Sequence, residues 1–187
     1  NQPENMFSLS QRTVSALFED NQGNMWVGTH RGSVNLYTPN TYKFKLYRQE
    51  PDINSISYSD VTAFCEDRAK NIWIGTDGGG LNLFDRKENT FKYYKYDPYN
   101  SKTIGSNEVL DIMEDSENNL WVGTWGGGLS LFNRKTSTFK RFINNPHDKN
   151  SISSNFIQKI FEDRDKNLWI ATYYGGLNLF NRKTKKI

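Results

Sequence analysis

The sequence is poor in the residues that build metal centres and disulfide frameworks. Its 187 residues include one cysteine, Cys65, and two histidines, His30 and His147. A single cysteine excludes an internal disulfide and a cysteine-based zinc site, and two histidines disfavour a histidine-rich metal site. We therefore expect neither a metal nor a cofactor. Cys65 is interpreted as a small buried strand residue rather than a nucleophile, because no histidine lies near it in sequence.

Long apolar runs and a strong net charge are also absent. No run approaches the roughly 18 apolar residues of a membrane helix, and the N-terminal residues lack the basic-then-apolar pattern of a signal peptide. The 24 basic and 21 acidic residues leave a net charge of +3, which is too weak to favour a nucleic acid or a membrane surface. The sequence therefore predicts no nucleic-acid partner and no direct membrane contact.

Aromatic residues, by contrast, make up 14% of the chain, and four of the five tryptophans recur at a nearly fixed interval. Trp26, Trp73, Trp121 and Trp169 are separated by 47, 48 and 48 residues. A Glu-Asp pair precedes each tryptophan, and the aspartates are Asp20, Asp67, Asp115 and Asp163. This repetition predicts four tandem units of about 47 residues, approximately 8–54, 55–102, 103–150 and 151–187, the last without its outer strand.

Each unit is predicted to form four short β-strands. In the second unit they are VTAFCED, NIWIGT, GLNLFD and TFKYYKY, which are rich in β-branched and aromatic residues and separated by Gly, Asn, Asp or Pro. No stretch keeps the 3.6-residue apolar period of a helix, so helical repeats are excluded. Four antiparallel strands in about 40–50 residues are typical of a β-propeller blade. The predicted fold is all-β, a partial β-propeller over residues 1–187.

Both faces of such a blade need burial. In NLWVGT, Leu120 and Val122 face one side of the sheet, and Trp121 and Gly123 face the other. Stacked blades provide that burial, and an open arc would leave its two end faces uncovered. A closed ring of four blades is the less favoured alternative.

Residues present in every unit are interpreted as structural, and this covers the repeated tryptophans and aspartates. The rival interpretation, paired carboxylates for glycoside hydrolysis, requires two carboxylates in a shared cleft. The arginine-lysine pairs at 86–87, 134–135 and 182–183 are expected to form a solvated belt on the face opposite the ligand-binding loops.

The string N-[LIM]-W-[VI]-[GA]-T-x-x-G-G-L-N-L-[FY], preceded by Glu-Asp, resembles the two-component regulator propeller repeat. The resemblance implies part of a seven-bladed propeller in the periplasmic sensor region of a hybrid two-component histidine kinase. The parent would be an inner-membrane homodimer that signals by phosphorelay in response to oligosaccharides from glycans. The chain itself would carry no enzyme activity. A propeller-fold carbohydrate-active enzyme and a pure scaffold are the alternatives.

Departures from the repeat predict where a ligand binds. After the threonine of the second strand the units read THRGSV, TDGGGL, TWGGGL and TYYGGL. Loops held by a rigid scaffold commonly bind ligands. The aromatic candidates would stack on sugar faces, and Arg31 and Asp77 would bind hydroxyl or acidic groups, unless these residues only pack on a neighbouring blade. The candidate ligand-binding residues are His30, Arg31, Asp77, Trp125, Tyr173 and Tyr174.

Overall fold

The computed structural model describes residues 8–39, 43–51, 54–184 and 186–187, which form fifteen β-strands and no helix. Blade 1 comprises β1 (Val14–Glu19), β2 (Met25–Thr29), β3 (Ser33–Thr38) and β4 (Lys43–Tyr47). Blade 2 comprises β5 (Val61–Glu66), β6 (Ile72–Thr76), β7 (Gly80–Asp85) and β8 (Thr90–Tyr94). Blade 3 comprises β9 (Val109–Glu114), β10 (Leu120–Thr124), β11 (Gly128–Asn133) and β12 (Thr138–Phe142). Blade 4 comprises β13 (Ile157–Glu162), β14 (Leu168–Thr172) and β15 (Gly176–Phe180).

Each blade is an antiparallel sheet in which strands follow one another in chain order. The prediction of an all-β array of propeller blades is confirmed. The first strands of successive blades (β1, β5, β9 and β13) contact one another, so they form the inner edge of the array. Within the described residues, no helix has the length and apolarity needed to cross a bilayer.

The core lies in the seams between blades. Leu120 and Val122 of β10 pack toward blade 2, whereas Trp121 packs toward blade 4, as the strand alternation predicts. Trp26, Trp73 and Trp121 are only 1–2% exposed. At about 25 cal/mol per Å², burying the roughly 200 Å² of one indole is worth about 5 kcal/mol before entropic costs.

Glycine next to the tryptophan lets the blades approach closely. A Cβ atom on Gly75 would lie 2.7 Å from Val109 Cγ1, and one on Gly123 would lie 2.6 Å from Ile157 Cγ2. The missing side chain therefore accommodates the first residue of the next blade's inner strand.

Among the described residues, the two end faces of the array are uncovered. Trp169 is half-buried, unlike its three counterparts, because no described blade covers its face. Leu17 on blade 1 is 67% exposed, and Phe161 and Leu177 on blade 4 are 60% and 65% exposed. The described blades therefore form an open arc rather than a closed ring.

The expectation that the repeated arginines form a solvated belt is wrong. Arg134 Nη1 lies 2.8 Å from Asp67 of the preceding blade, and its Nη2 lies 2.6 Å from Glu114 of its own blade. Arg86 and Arg182 make the equivalent ion pairs in the first and third seams. The sequence could not show this, because these partners are 20 and 67 residues apart in the chain. Only the lysines of these pairs are exposed.

The acidic pairs bind on both sides of each seam. The Trp73 indole Nε1 donates to Asp67 at 2.8 Å, and the amide of Arg68 donates to Glu114 of the next blade at 2.8 Å. Burial alone would raise the pKa of Asp67, but hydrogen bonds from Trp73, Asn71 and Arg134 hold that pKa below its ordinary value. We name each three-residue unit of arginine and two carboxylates a seam clamp.

Candidate ligand-binding rim

One face of the arc carries both variable elements of the repeat. We name it the hairpin rim; it comprises the hairpins at 30–32, 77–79, 125–127 and 173–175 and the described parts of the connections between blades, at 48–51, 54–60, 95–108 and 143–156. Each of the first three hairpins is bonded to the following connection, as in Ser33 N to Ser59 O (2.8 Å) and Gly128 N to Asn155 O (2.9 Å). The rim is therefore held by backbone hydrogen bonds across every seam.

Three of the predicted residues meet at the end of the rim formed by blades 3 and 4. The ring centroids of Trp125 and Tyr173 are 5.3 Å apart, and those of Tyr173 and Tyr174 are 4.2 Å apart. Phe156 joins them, edge-to-face with Trp125 at 4.7 Å. Tyr174 is 94% exposed and Tyr173 is 42% exposed. We name these four residues the aromatic cluster.

The aromatic cluster offers apolar faces together with hydroxyl groups. The Tyr173 hydroxyl donates to that of Tyr174 at 3.4 Å. This hydrogen bond, with some burial, raises the pKa of Tyr173 above its ordinary value, so the phenol stays neutral in neutral solution. Rings with a polar tip suit ligands that have both apolar and hydroxyl-bearing faces, as sugars do.

Sequence reasoning missed Phe156. It immediately precedes β13, where blades 2 and 3 have Asp60 and Glu108. The signal was present, because an aromatic residue replaces an acidic one at an equivalent position of the repeat.

The other three candidates lie apart from the aromatic cluster. His30 Nδ1 lies 2.8 Å from a carboxylate oxygen of Asp60 in the next blade, and the same oxygen accepts the backbone N–H of Arg31. Asp77 is exposed and forms a backbone bridge to Glu108. The contact between His30 and Asp60 matches the alternative given above, in which a candidate residue only packs on a neighbouring blade.

Two candidates adopt a backbone conformation that disfavours their side chains. Arg31 and Tyr174 have φ angles of 55° and 61°, whereas blades 2 and 3 have Gly78 and Gly126 at this position of the hairpin. A residue other than glycine in the left-handed region costs of order 1–3 kcal/mol, and such residues cluster at functional sites. The same conformation occurs at Lys70, Asn118 and Lys166, in the turns between the first two strands of blades 2, 3 and 4, so it marks a turn position and does not by itself assign a role.

The described residues offer little for covalent or metal chemistry. They include no group of three or more His, Cys, Asp or Glu side chains placed to hold a metal ion. Burial raises the pKa of Cys65 to about 12, which keeps its thiol protonated. Burial also raises the pKa of Asp111, whose oxygens accept from Lys159 Nζ at 2.6 Å and Ile160 N at 2.7 Å in the seam between blades 3 and 4.

The sequence profile of the two component regulator propeller family matches residues 8–31, 55–78, 103–126 and 151–174. These segments make up more than half of the chain, and the chain therefore belongs to this family. All six candidate ligand-binding residues lie within them. No curated protein matches the chain in sequence.

Solved structures of the same fold include extracellular domains from B. thetaiotaomicron. One belongs to BT3049, described as a hybrid two component system, with 24% identity over 99% of this chain and a TM-score of 0.82. Another belongs to BT4673, with 26% identity over 92% of this chain and a TM-score of 0.74. The chain spans 24% of the length of each. Virginiamycin B lyase from Staphylococcus aureus is more distant, with 15% identity over 90% of this chain and 55% of the lyase, and a TM-score of 0.61.

Proposed function

We propose that this chain is the ligand-recognising part of an extracytoplasmic sensor in a two-component regulator, and that its ligand is an oligosaccharide. The observation that carries the proposal is the aromatic cluster, in which exposed rings stand on a rim that hydrogen bonds hold rigid. The extracellular location of the domains of similar fold supports a site outside the cytoplasm. We place the parent in the inner membrane as a periplasm-facing homodimeric histidine kinase.

Stacking supplies the affinity in this proposal. A sugar that covers about 80 Å² of the tyrosine rings gains about 2 kcal/mol at roughly 25 cal/mol per Å². Binding across the surface shared by Trp125 of blade 3 and Tyr173 of blade 4 couples the ligand to the packing of two blades. A change in that packing, or in how two receptors pair, is the signal passed to the kinase. The chain performs no chemistry itself.

The test is calorimetric titration of the purified protein with a library of glycan-derived oligosaccharides. Trp125→Ala and Tyr173→Ala should each weaken the binding of a hit about tenfold or more, because each removes a stacking surface. Tyr99→Ala is the matched control, since Tyr99 is 97% exposed on the connection between blades 2 and 3. Unchanged affinity in both cluster variants, with the fold intact by circular dichroism, refutes the proposal. Product formation during titration favours a propeller-fold enzyme instead.

A further inference from the structure

A polar cleft of about 210 Å³ opens on the hairpin rim between blades 1 and 2. Arg31 and Arg48 line it, together with serine hydroxyls and the side-chain amide of Gln49. None of the described residues that line it is acidic. The cleft therefore presents hydrogen-bond donors and positive charge without an internal counter-charge.

Among the described residues, the two guanidinium groups at the cleft have no partner. Arg31 and Arg48 are exposed, and neither side chain forms a hydrogen bond or an ion pair with a described residue. The arginines of the seam clamps, by contrast, each bind two carboxylates. Asp60, the acidic residue that follows Ser59, is already engaged by His30 and by the backbone amide of Arg31.

The cleft lies where one residue of the repeat is shortened. In the other two seams an asparagine closes the equivalent place: Asn107 accepts the amide of Tyr96 at 2.8 Å, and Asn155 accepts that of Asn144 at 2.7 Å. The first seam has Ser59 instead, whose hydroxyl reaches only the Gln49 side chain, at 3.4 Å.

One further departure and a second arginine accompany this opening. Arg31 replaces the glycine that blades 2 and 3 have in the hairpin, and it retains a left-handed φ of 55°. Arg48, directly after β4, stands where blade 2 has the basic residue Lys95 and blade 3 has Ile143. Two departures from the repeat, at Ser59 and Arg31, thus meet at one cleft, and the two arginines make it positive.

We propose that this cleft is a subsite for the oxyanion of an acidic saccharide, a carboxylate or a sulfate ester. Guanidinium groups bind planar oxyanions through paired, charge-assisted hydrogen bonds. The neighbouring serine and glutamine side chains suit the hydroxyl groups that flank such a group on a sugar ring. The inference rests on the proposed function and narrows its ligand class from oligosaccharides to acidic ones.

The experiment titrates the wild-type chain with three probes of similar size: an oligogalacturonate, a sulfated glycosaminoglycan disaccharide and a neutral galacto-oligosaccharide. We expect an acidic probe to bind at least tenfold more tightly than the neutral one. The two acidic probes distinguish a carboxylate from a sulfate ester. Arg31→Gln and Arg48→Gln should each weaken acidic binding about tenfold, the equivalent of about 1.4 kcal/mol, and so reduce the preference for acidic over neutral probes.

Two further variants separate a shaped site from general surface charge. Arg164→Gln removes one exposed arginine on blade 4, outside the cleft, and should leave binding unchanged. Ser59→Asn restores the asparagine of the other seams and retains both arginines, and it should abolish the preference for acidic probes. The subsite is refuted if Arg164→Gln loses as much affinity for acidic probes as Arg31→Gln and Arg48→Gln do. It is also refuted if Ser59→Asn binds acidic probes as tightly as wild type does. If neutral saccharides bind in a Trp125-dependent way while acidic probes show no preference, the subsite fails and the proposed function survives.

Discussion

Arg134 is the residue whose removal tests the seam clamp most directly. Its side chain is 31% exposed, while the side chains of its partners Asp67 and Glu114 are 0% and 7% exposed. Removing one partner of a buried ion pair costs about 3–5 kcal/mol, because a buried charge is left uncompensated. Water reaches part of the Arg134 site, and Asp67 keeps its hydrogen bonds from Trp73 and Asn71. We therefore expect Arg134→Ala to lower the free energy of unfolding by about 2–3 kcal/mol.

The effect should depend on pH in a defined direction. The pKa of Asp67 is lowered in the folded chain from its ordinary value of 3.8. A lowered carboxylate pKa stabilises the fold above the ordinary value, and that contribution disappears as the pH falls through the lowered folded pKa. The difference in the free energy of unfolding between wild type and Arg134→Ala should therefore be largest at pH 7 and become smaller below about pH 4.

Urea unfolding monitored by tryptophan fluorescence measures both quantities, because Trp73 lies next to the clamp. Arg164→Ala serves as the matched control, since Arg164 is exposed and forms no ion pair with a described residue. If Arg134→Ala changes stability no more than Arg164→Ala does, the clamp contributes nothing and this reasoning is wrong.

Three further predictions follow from other contacts. Gly75→Ala should destabilise the chain by about 1–3 kcal/mol, because the added methyl group overpacks against Val109. Adding Val109→Ala should recover part of that loss. Identical urea midpoints for Gly75→Ala and wild type would contradict the close approach. Asp111→Asn should raise the free energy of unfolding at pH 7 by up to about 1 kcal/mol. The asparagine keeps an acceptor for the Ile160 amide, and it replaces a carboxylate whose pKa is raised by burial. A markedly lower unfolding temperature would contradict this. Tyr174→Gly should leave the free energy of unfolding within about 1 kcal/mol of wild type, because glycine tolerates the positive φ. The same variant should bind saccharides more weakly. If it binds them as wild type does, Tyr174 is excluded from the site.

The sequence was sufficient to predict the blades because their information is local and repeated four times. The alternation in NLWVGT placed Leu120 and Trp121 on opposite faces, and the structure confirms both. Cys65 is buried, as predicted. Trp169 differs from the other repeated tryptophans because its burial requires a further blade, which no pattern within one unit supplies.

Contacts between blades could not be predicted from the sequence, since they join residues that come together only when the blades stack. The role of Arg134 depends on Asp67, which lies 67 positions away. The candidate rim residues were selected because they vary, and variation identified Trp125 and Tyr173 without showing that they are in contact. Ser59 was not predicted as a site residue, because the cleft beside its short side chain depends on the positions of neighbouring residues from other parts of the chain.

The seam clamp also gives the array a direction. Blades 1, 2 and 3 each offer an aspartate to the next blade and receive an arginine from it, but Pro39 of blade 1 occupies the position of Arg86 and Arg134. Blade 4, in turn, has Ala171 where Gly75 and Gly123 admit a β-branched residue. A blade packed against the outer face of blade 1 would therefore lack the arginine of a seam clamp, and one packed against the outer face of blade 4 would have to accommodate the Ala171 methyl group.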